Sequence, residues 1–175
     1  MLKSLLPVGL VVGLTACSRP VVPAPSPAYD RHIDQPCNPL NGTLQGATRE
    51  LRVADAALTV PAQWLASYGN MNEITLTRSL SELNVWKGSD FVFPPMLPAA
   101  AVQCQIVRGD TTIVIRSEMD RNRTFRVDVT VSPLIGGQRL YMQLQTRVAE
   151  RLKEMRGIIE SLRFPADTSV AARND

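Results

Sequence analysis

FRVDVTV, residues 125–131, alternates apolar and polar side chains without interruption. Successive side chains of a β-strand point to opposite faces, so Phe125, Val127, Val129 and Val131 would share one side of an extended chain. The segment therefore predicts a strand that buries one face in a core and turns the other toward polar surroundings.

Related patterns lie on both sides of this strand. Residues 102–107 and 111–117 precede it and residues 140–144 follow it, with turn residues between them at 109–110, 119–123 and 133–137. Short connections between consecutive strands predict an antiparallel meander.

The first half of the chain carries weaker alternation. Residues 51–53 and 58–60 predict a hairpin, and residues 73–77 and 83–86 predict two further strands.

Residues 146–162, at the end of the predicted domain, repeat apolar side chains with the period of an α-helix. One apolar stripe recurs at steps of four and three, formed by Val148, Leu152, Met155, Ile159 and Leu162. The opposite face would carry Glu150, Arg151, Lys153, Glu154 and Arg156. Gly157 would let this helix approach the sheet closely. The predicted fold class is α+β, with an antiparallel β-sheet packed against a C-terminal amphipathic helix as a two-layer sandwich.

The N-terminus has the parts of an export signal. Lys3 precedes an apolar run over residues 5–14, which at about ten residues is half of what a transmembrane helix needs. The small residues Thr15 and Ala16 follow. This segment predicts secretion and not a membrane span.

The residues at the end of the signal add an anchor. Leu14-Thr15-Ala16-Cys17 resembles the lipobox of bacterial lipoproteins. The resemblance implies a signal peptide over residues 1–16 and a Cys17 that carries diacylglycerol and palmitate-type chains on the mature protein. The alternative is an ordinary signal peptide with an incidental cysteine.

The compartment and the domain boundaries follow from this anchor. Ser18 after the cysteine, where an Asp would favour the inner membrane of Gram-negative bacteria, implies attachment to the outer membrane facing the periplasm. Residues 17–36 are a proline-rich tether, residues 37–164 the α+β domain, and residues 165–175 a disordered tail.

Two cysteines remain once Cys17 is acylated. In an oxidising exported compartment, Cys37 and Cys104 predict a disulfide, with two unrelated buried thiols as the alternative. The sequence has no Cys-x-x-Cys pair and a single histidine, His32, in the tether. We therefore expect no redox site, no metal site and no cofactor.

Two short motifs suggest a family for the domain. Residues 58–64, LTVPAQW, and residues 158–164, IIESLRF, are similar to the PsbP-type proteins of the photosystem oxygen-evolving complex and their Mog1-like relatives. The resemblance implies a fold and a protein-binding accessory role, and it transfers no catalytic residue.

Catalytic patterns are absent from the sequence. It lacks a nucleophile motif and a phosphate-binding glycine loop, and the carboxylates that could serve a glycosidase are Asp110, Glu118, Asp120 and Asp128. The formal net charge of +3 is too small to indicate nucleic-acid binding. We predict a protein that is not an enzyme and has no catalytic residues.

Residues 89–101 form an apolar, proline-interrupted loop. The candidate partner contacts are Phe91, Phe93, Met96 and Leu97, since exposed apolar patches mark contact sites. The alternative is that Phe91 and Phe93 fold back as a lid on the domain's own core.

A group of arginines surrounds the turn at residues 119–123. Arg116, Arg121, Arg123 and Arg126 could form a basic patch for an anionic partner, or an ordinary solvated sheet face neutralised by Asp residues nearby.

The sequence thus predicts a membrane-anchored exported lipoprotein that acts as a non-catalytic, protein-binding envelope accessory module. Its expected partners are the membrane, reached through the N-terminal lipid, and an envelope protein. A carrier or chaperone with an apolar cleft between sheet and helix, and a hydrolase, are the two alternatives.

Overall fold

The computed structural model of the protein describes residues 32–89, 91–93, 101–120, 122–132 and 138–164. These residues form mostly antiparallel β-sheet with a C-terminal helix. The predictions on Cys17, on the tether before residue 32 and on the tail 165–175 fall outside the described residues.

The described residues form nine strands and two 3₁₀ turns. The turns are Gln35–Cys37 and Pro39–Asn41. The strands are β1 Thr48–Val53, β2 Ala56–Pro61, β3 Leu65–Asn70, β4 Glu73–Thr77, β5 Ser81–Gly88, β6 Val102–Arg108, β7 Thr111–Met119, β8 Phe125–Ser132 and β9 Arg139–Thr146. The helix, α1, runs over Glu150–Glu160.

The strands divide into a hairpin and one large sheet. β1 and β2 pair with each other, and the other seven strands follow the order β3-β4-β5-β9-β8-β7-β6. The predicted hairpin and the predicted C-terminal meander are both confirmed. The antiparallel pairing of β5 with β9, from Ser81 opposite Thr146 to Gly88 opposite Arg139, joins two meanders into one sheet.

The edge strand β3 has no counterpart in the sequence prediction. Its sequence, LASYGN, is mostly exposed and shows no apolar alternation. An edge strand that buries few side chains needs no period-two pattern. β3 is therefore recognised by its pairing with β4 and not by its sequence.

One face of the large sheet supplies the core. The apolar positions of β8, namely Phe125, Val127, Val129 and Val131, are at most 2% exposed, as the alternation predicts. Equivalent positions of β4, β5, β7 and β9 are buried with them in one cluster that also takes in β1, β2 and α1.

The helix is shorter than predicted. Thr146 Oγ1 accepts a hydrogen bond from the backbone N of Val148 at 3.0 Å. This local turn competes with helical hydrogen bonding, and α1 begins only at Glu150. Leu152, Met155 and Ile159 are buried as predicted.

Arg156 corrects the predicted polar face of α1. It is 6% exposed and pairs with Glu160, which also binds Arg108 of β6. Burial, and secondarily the positive charge of Arg108, lower the pKa of Arg156. The prediction was wrong because the 3₁₀ turns and Arg108 of β6 pack against a side of α1. The helical period had assigned that side to the solvent.

The two motifs of the family resemblance meet in space. Ser161 Oγ accepts a hydrogen bond from the Thr59 backbone N at 2.8 Å, and Ala57 and Arg163 exchange backbone hydrogen bonds of 2.9 Å. The chain after α1 therefore continues alongside β2.

Gly157 does allow a close approach, but not to the sheet. A Cβ at this position would lie 2.6 Å from Leu44 Cδ2 and 2.9 Å from its Cγ. The glycine accommodates the loop before β1, which the sequence did not indicate.

A disulfide fastens the N-terminal turns to the far edge of the sheet. Cys37 and Cys104 are bonded at 2.03 Å with Cα atoms 5.8 Å apart, and 67 positions separate them in the chain. The structure contains the pairing that the cysteine count predicts.

Candidate functional site

Four aromatic rings cluster on the face of the sheet opposite the core. Trp86 and Tyr141 are stacked, with ring centroids 5.7 Å apart and planes at 23°. Phe91 and Phe93 meet Trp86 edge-on at 4.9 and 5.9 Å. Such offset and edge-to-face arrangements are the favourable ones for aromatic pairs.

Strand register brings Trp86 and Tyr141 together. They are direct cross-strand partners on β5 and β9, at the alternate positions that point away from the core. Sequence reasoning missed them. The sequence feature that could have revealed them is an aromatic side chain at a position that the alternation assigns to the polar face.

Phe91 and Phe93 fold back onto the domain, but not as a lid on its core, and their role as partner contacts stays a prediction. They pack against the outer-face aromatics and not against the core cluster. Tyr141 Oη accepts a hydrogen bond from the Phe91 backbone N at 3.2 Å, which holds this part of the loop on the sheet. Phe91 remains 39% exposed, while Met96 and Leu97 lie outside the described residues.

A groove of about 350 Å³ runs beside the aromatic cluster. Its floor comes from β4, β5 and β9 and one wall from Phe91. Most of its polar lining is carboxamide. The lining residues are Asn70, Asn72, Glu73, Asn84, Trp86, Lys87, Phe91 and Gln143.

Hydrogen bonds orient the carboxamides of the groove floor. Thr75 Oγ1 donates to Asn84 Oδ1 at 2.7 Å, and Gln143 Nε2 donates to Asp128 Oδ1 at 3.0 Å. Asp128 itself is 1% exposed and is paired with Arg126. Hydrogen bonds on the polar face therefore hold Asn84 and Gln143, which line the groove.

Two of the three described arginines of the group lie near carboxylates. Arg126 pairs with Asp128 and Glu118, and Arg116 lies across the strand from Asp128. Arg123 is exposed in the β7–β8 turn with φ of 59°, and Arg121 lies outside the described residues. Both interpretations of the arginine group, a basic patch and a neutralised face, therefore stay predictions.

The candidate glycosidase carboxylates have other roles in the structure. Asp120 Oδ1 accepts from the backbone N of Asn122 and of Thr124, both at 2.8 Å, and shapes a turn. Asp110 is exposed in the β6–β7 turn. Glu118 and Asp128 share Arg126, so they are ion-pair partners of an arginine and not a facing acid pair.

The described part of the chain carries neither a metal-ligand cluster nor a membrane-spanning helix. There, no three His, Cys, Asp or Glu side chains gather where they could hold a metal ion. No helix in that part has the length and apolarity needed to cross a bilayer.

A second groove, of about 390 Å³, lies at the β1–β2 turn and the chain after α1. Its lining includes Glu50, Arg52, Asp55, Arg163 and Phe164. Neither of these two grooves lies between the large sheet and α1, which is where a carrier would need its cleft.

Comparison with known proteins gives distant structural similarity. No protein-family model matches the chain, and no curated protein matches it. A protein from Bacteroides thetaiotaomicron VPI-5482 is similar with a TM-score of 0.44 and 10% identity, covering 71% of this chain and 50% of that one. The chain thus spans about half the length of that protein.

A mutant of the protein Mog1 is similar with a TM-score of 0.42 and 8% identity, covering 73% of this chain and 100% of the Mog1 chain. Mog1 belongs to the family that residues 58–64 and 158–164 resemble. These values by themselves assign neither a family nor an activity to the chain.

Replacing Phe91 and Phe93 together by serine should lower the free energy of unfolding by about 1–2 kcal/mol, because the rings lose aromatic contacts on a partly exposed face. Buried core phenylalanines would cost about 3–5 kcal/mol each. Urea denaturation measures the difference. Val92→Ser, at a side chain that is 86% exposed, is the matched control, and a loss above about 5 kcal/mol in the double variant would place the rings in the core.

Proposed function

We propose that the protein is an exported, lipid-anchored accessory protein of the bacterial envelope that works by binding and not by catalysis. The observation that carries this proposal is the Cys37–Cys104 disulfide, since structural disulfides persist in oxidising compartments outside the cytosol. It agrees with the compartment that the Leu14-Thr15-Ala16-Cys17 sequence indicates.

The anchor would be the acyl chains on Cys17. One chain holds a protein only marginally, whereas two or three chains give stable attachment at about 0.8 kcal/mol for each buried methylene. The proline-rich residues 18–31 would then act as an extended spacer at about 3.1 Å per residue, since Ile33 and Pro36 are already buried in the domain. This would let the domain meet an envelope protein away from the outer-membrane surface that faces the periplasm.

The arrangement of the domain supports binding. We infer a two-layer architecture in which α1 and the β1–β2 hairpin cover the core face of the large sheet, because buried side chains from all three belong to one cluster. The groove beside the aromatic cluster would then lie on the opposite face of the large sheet.

Cys17→Ser should abolish acylation and leave the unprocessed precursor, because the acyl chains attach to the thiol. Labelling of cells with radioactive palmitate, followed by gel electrophoresis of the precipitated protein, measures this directly. Ser18→Ala is the matched control and should be labelled and processed normally. Palmitate incorporation and normal cleavage in Cys17→Ser would rule out the proposed anchor.

A further inference from the structure

The indole ring of Trp86 is held by three neighbouring aromatic rings and also lines the groove. In the strand register it lies between Tyr141 of β9 and Glu73 of β4. It stacks on Tyr141, and both Trp86 and Glu73 line the groove. A ring that neighbours already hold loses little freedom when a ligand packs on it.

The polar groups around this ring suit hydroxyl groups. The carboxamide residues Asn70, Asn72, Asn84 and Gln143 line the groove. Asn84 already bonds Thr75 and Glu82, and Asn70 Oδ1 accepts from the Asn72 backbone N. A carboxamide has two donor hydrogens and two acceptor lone pairs, so each still has capacity to bond a ligand. Gln143 uses Nε2 on Asp128, so Oε1 is the acceptor left to a ligand among the described contacts. Hydroxyl groups also donate and accept, which makes a polyhydroxylated ligand the natural complement.

The charges around the groove disfavour an anion. Lys87 lines it, but Nζ lies 2.9 Å from Asp55 Oδ1 and the side chain is 13% exposed. Glu73 adds a carboxylate at the exposed rim. A phosphate or an acidic polymer would therefore meet a negative charge and no unopposed lysine.

We propose that this groove binds a neutral saccharide, with one sugar ring packed by its apolar C–H face against Trp86 and its hydroxyls bonded to the carboxamides. The volume of about 350 Å³ lies at the low end of the roughly 300–1,000 Å³ usual for small-ligand sites. It accommodates one or two sugar rings, and because the groove is open a longer chain can continue beyond it.

This inference rests on the proposed binding function and adds its site and ligand class. The two fail independently. Loss of the Cys17 anchor would leave the affinity of the groove unchanged, and failure of saccharide binding would leave acylation and attachment to an envelope protein intact.

Titration of the full-length protein with cellotetraose and with chitotetraose, in a detergent free of sugar headgroups, tests the proposal. Saturable binding of at least one of them is expected by calorimetry. The tryptophan emission should shift as well. That signal reports on Trp86, because the other tryptophan, Trp64, is 0% exposed.

Variants locate the binding. Trp86→Ala should weaken binding at least about tenfold, as for truncation of an aromatic anchor, and Asn72→Ala should weaken it about threefold as one lost hydrogen bond. Tyr68→Ala is the matched control, since Tyr68 is an exposed aromatic outside the groove lining, and it should bind as the wild type does. Circular dichroism melting verifies that each variant is folded. If Trp86→Ala is not, Asn72→Ala and Tyr68→Ala decide the result.

Three results would overturn the proposal. One is no binding of either saccharide up to about 10 mM, above the range of a millimolar site. Another is binding that Trp86→Ala and Asn72→Ala leave unchanged. The third is a protein partner whose capture depends on Trp86 while neither saccharide competes with it.

Discussion

Trp64→Ala is expected to lower the free energy of unfolding by about 3–5 kcal/mol, the cost of removing a fully buried tryptophan. Trp64 is 0% exposed. Its Nε1 donates to Glu154 Oε2 at 3.1 Å, and its carbonyl accepts from Arg49. Glu154 also binds Arg78 and Arg151, so loss of the indole leaves a cavity beside an ion-pair network that joins α1 to the sheet.

Equilibrium unfolding in urea measures this effect. Trp64→Phe separates the loss of apolar volume from the loss of the hydrogen bond, and Leu65→Ala is the control. Trp64→Phe retains most of the apolar volume but loses the hydrogen bond to Glu154, so it should lie between the wild type and the alanine variant. Leu65→Ala changes the next residue, which is 71% exposed, and should stay within about 0.5 kcal/mol of the wild type. A loss below about 1 kcal/mol for Trp64→Ala would show that Trp64 is not a core residue.

Removal of the disulfide should be comparably destabilising. With 67 positions between Cys37 and Cys104, the chain-entropy model gives a loss of about 4 kcal/mol, because the reduced unfolded chain gains conformations that the bridge excludes. The double variant Cys37→Ala with Cys104→Ala and the reduced wild type should both show it. Both should unfold at a lower urea concentration than the oxidised wild type.

Alkylation identifies the bridge before its stability is measured. In a Cys17→Ser background only Cys37 and Cys104 remain, so no thiol should react in denaturant unless a reductant is added. Full alkylation of both cysteines under denaturing, non-reducing conditions would contradict the disulfide. Each single variant, Cys37→Ala or Cys104→Ala, is the control and should expose one reactive thiol.

Local patterns in the sequence were enough to predict most of the elements. The alternation in residues 125–131 and its neighbours predicts strands and their buried face, because a pleated chain turns successive side chains to opposite sides. The stripe through Leu152, Met155 and Ile159 predicts the helix for the equivalent reason at period 3.6. The cysteine pairing followed from elimination, since acylation of Cys17 would leave a single pair.

The candidate site, by contrast, needed the tertiary structure. Periodicity assigns Trp86 and Tyr141 to the polar face of their strands, but only the pairing of β5 with β9 makes them neighbours. Which strands pair across a long stretch of chain depends on the burial of the whole core, and no local pattern encodes it. The same reason applies to the buried Arg156 and to the weakly patterned edge strand β3. The sequence by itself determined most of the elements and their buried faces, while the tertiary structure alone decided which faces meet and where the groove lies.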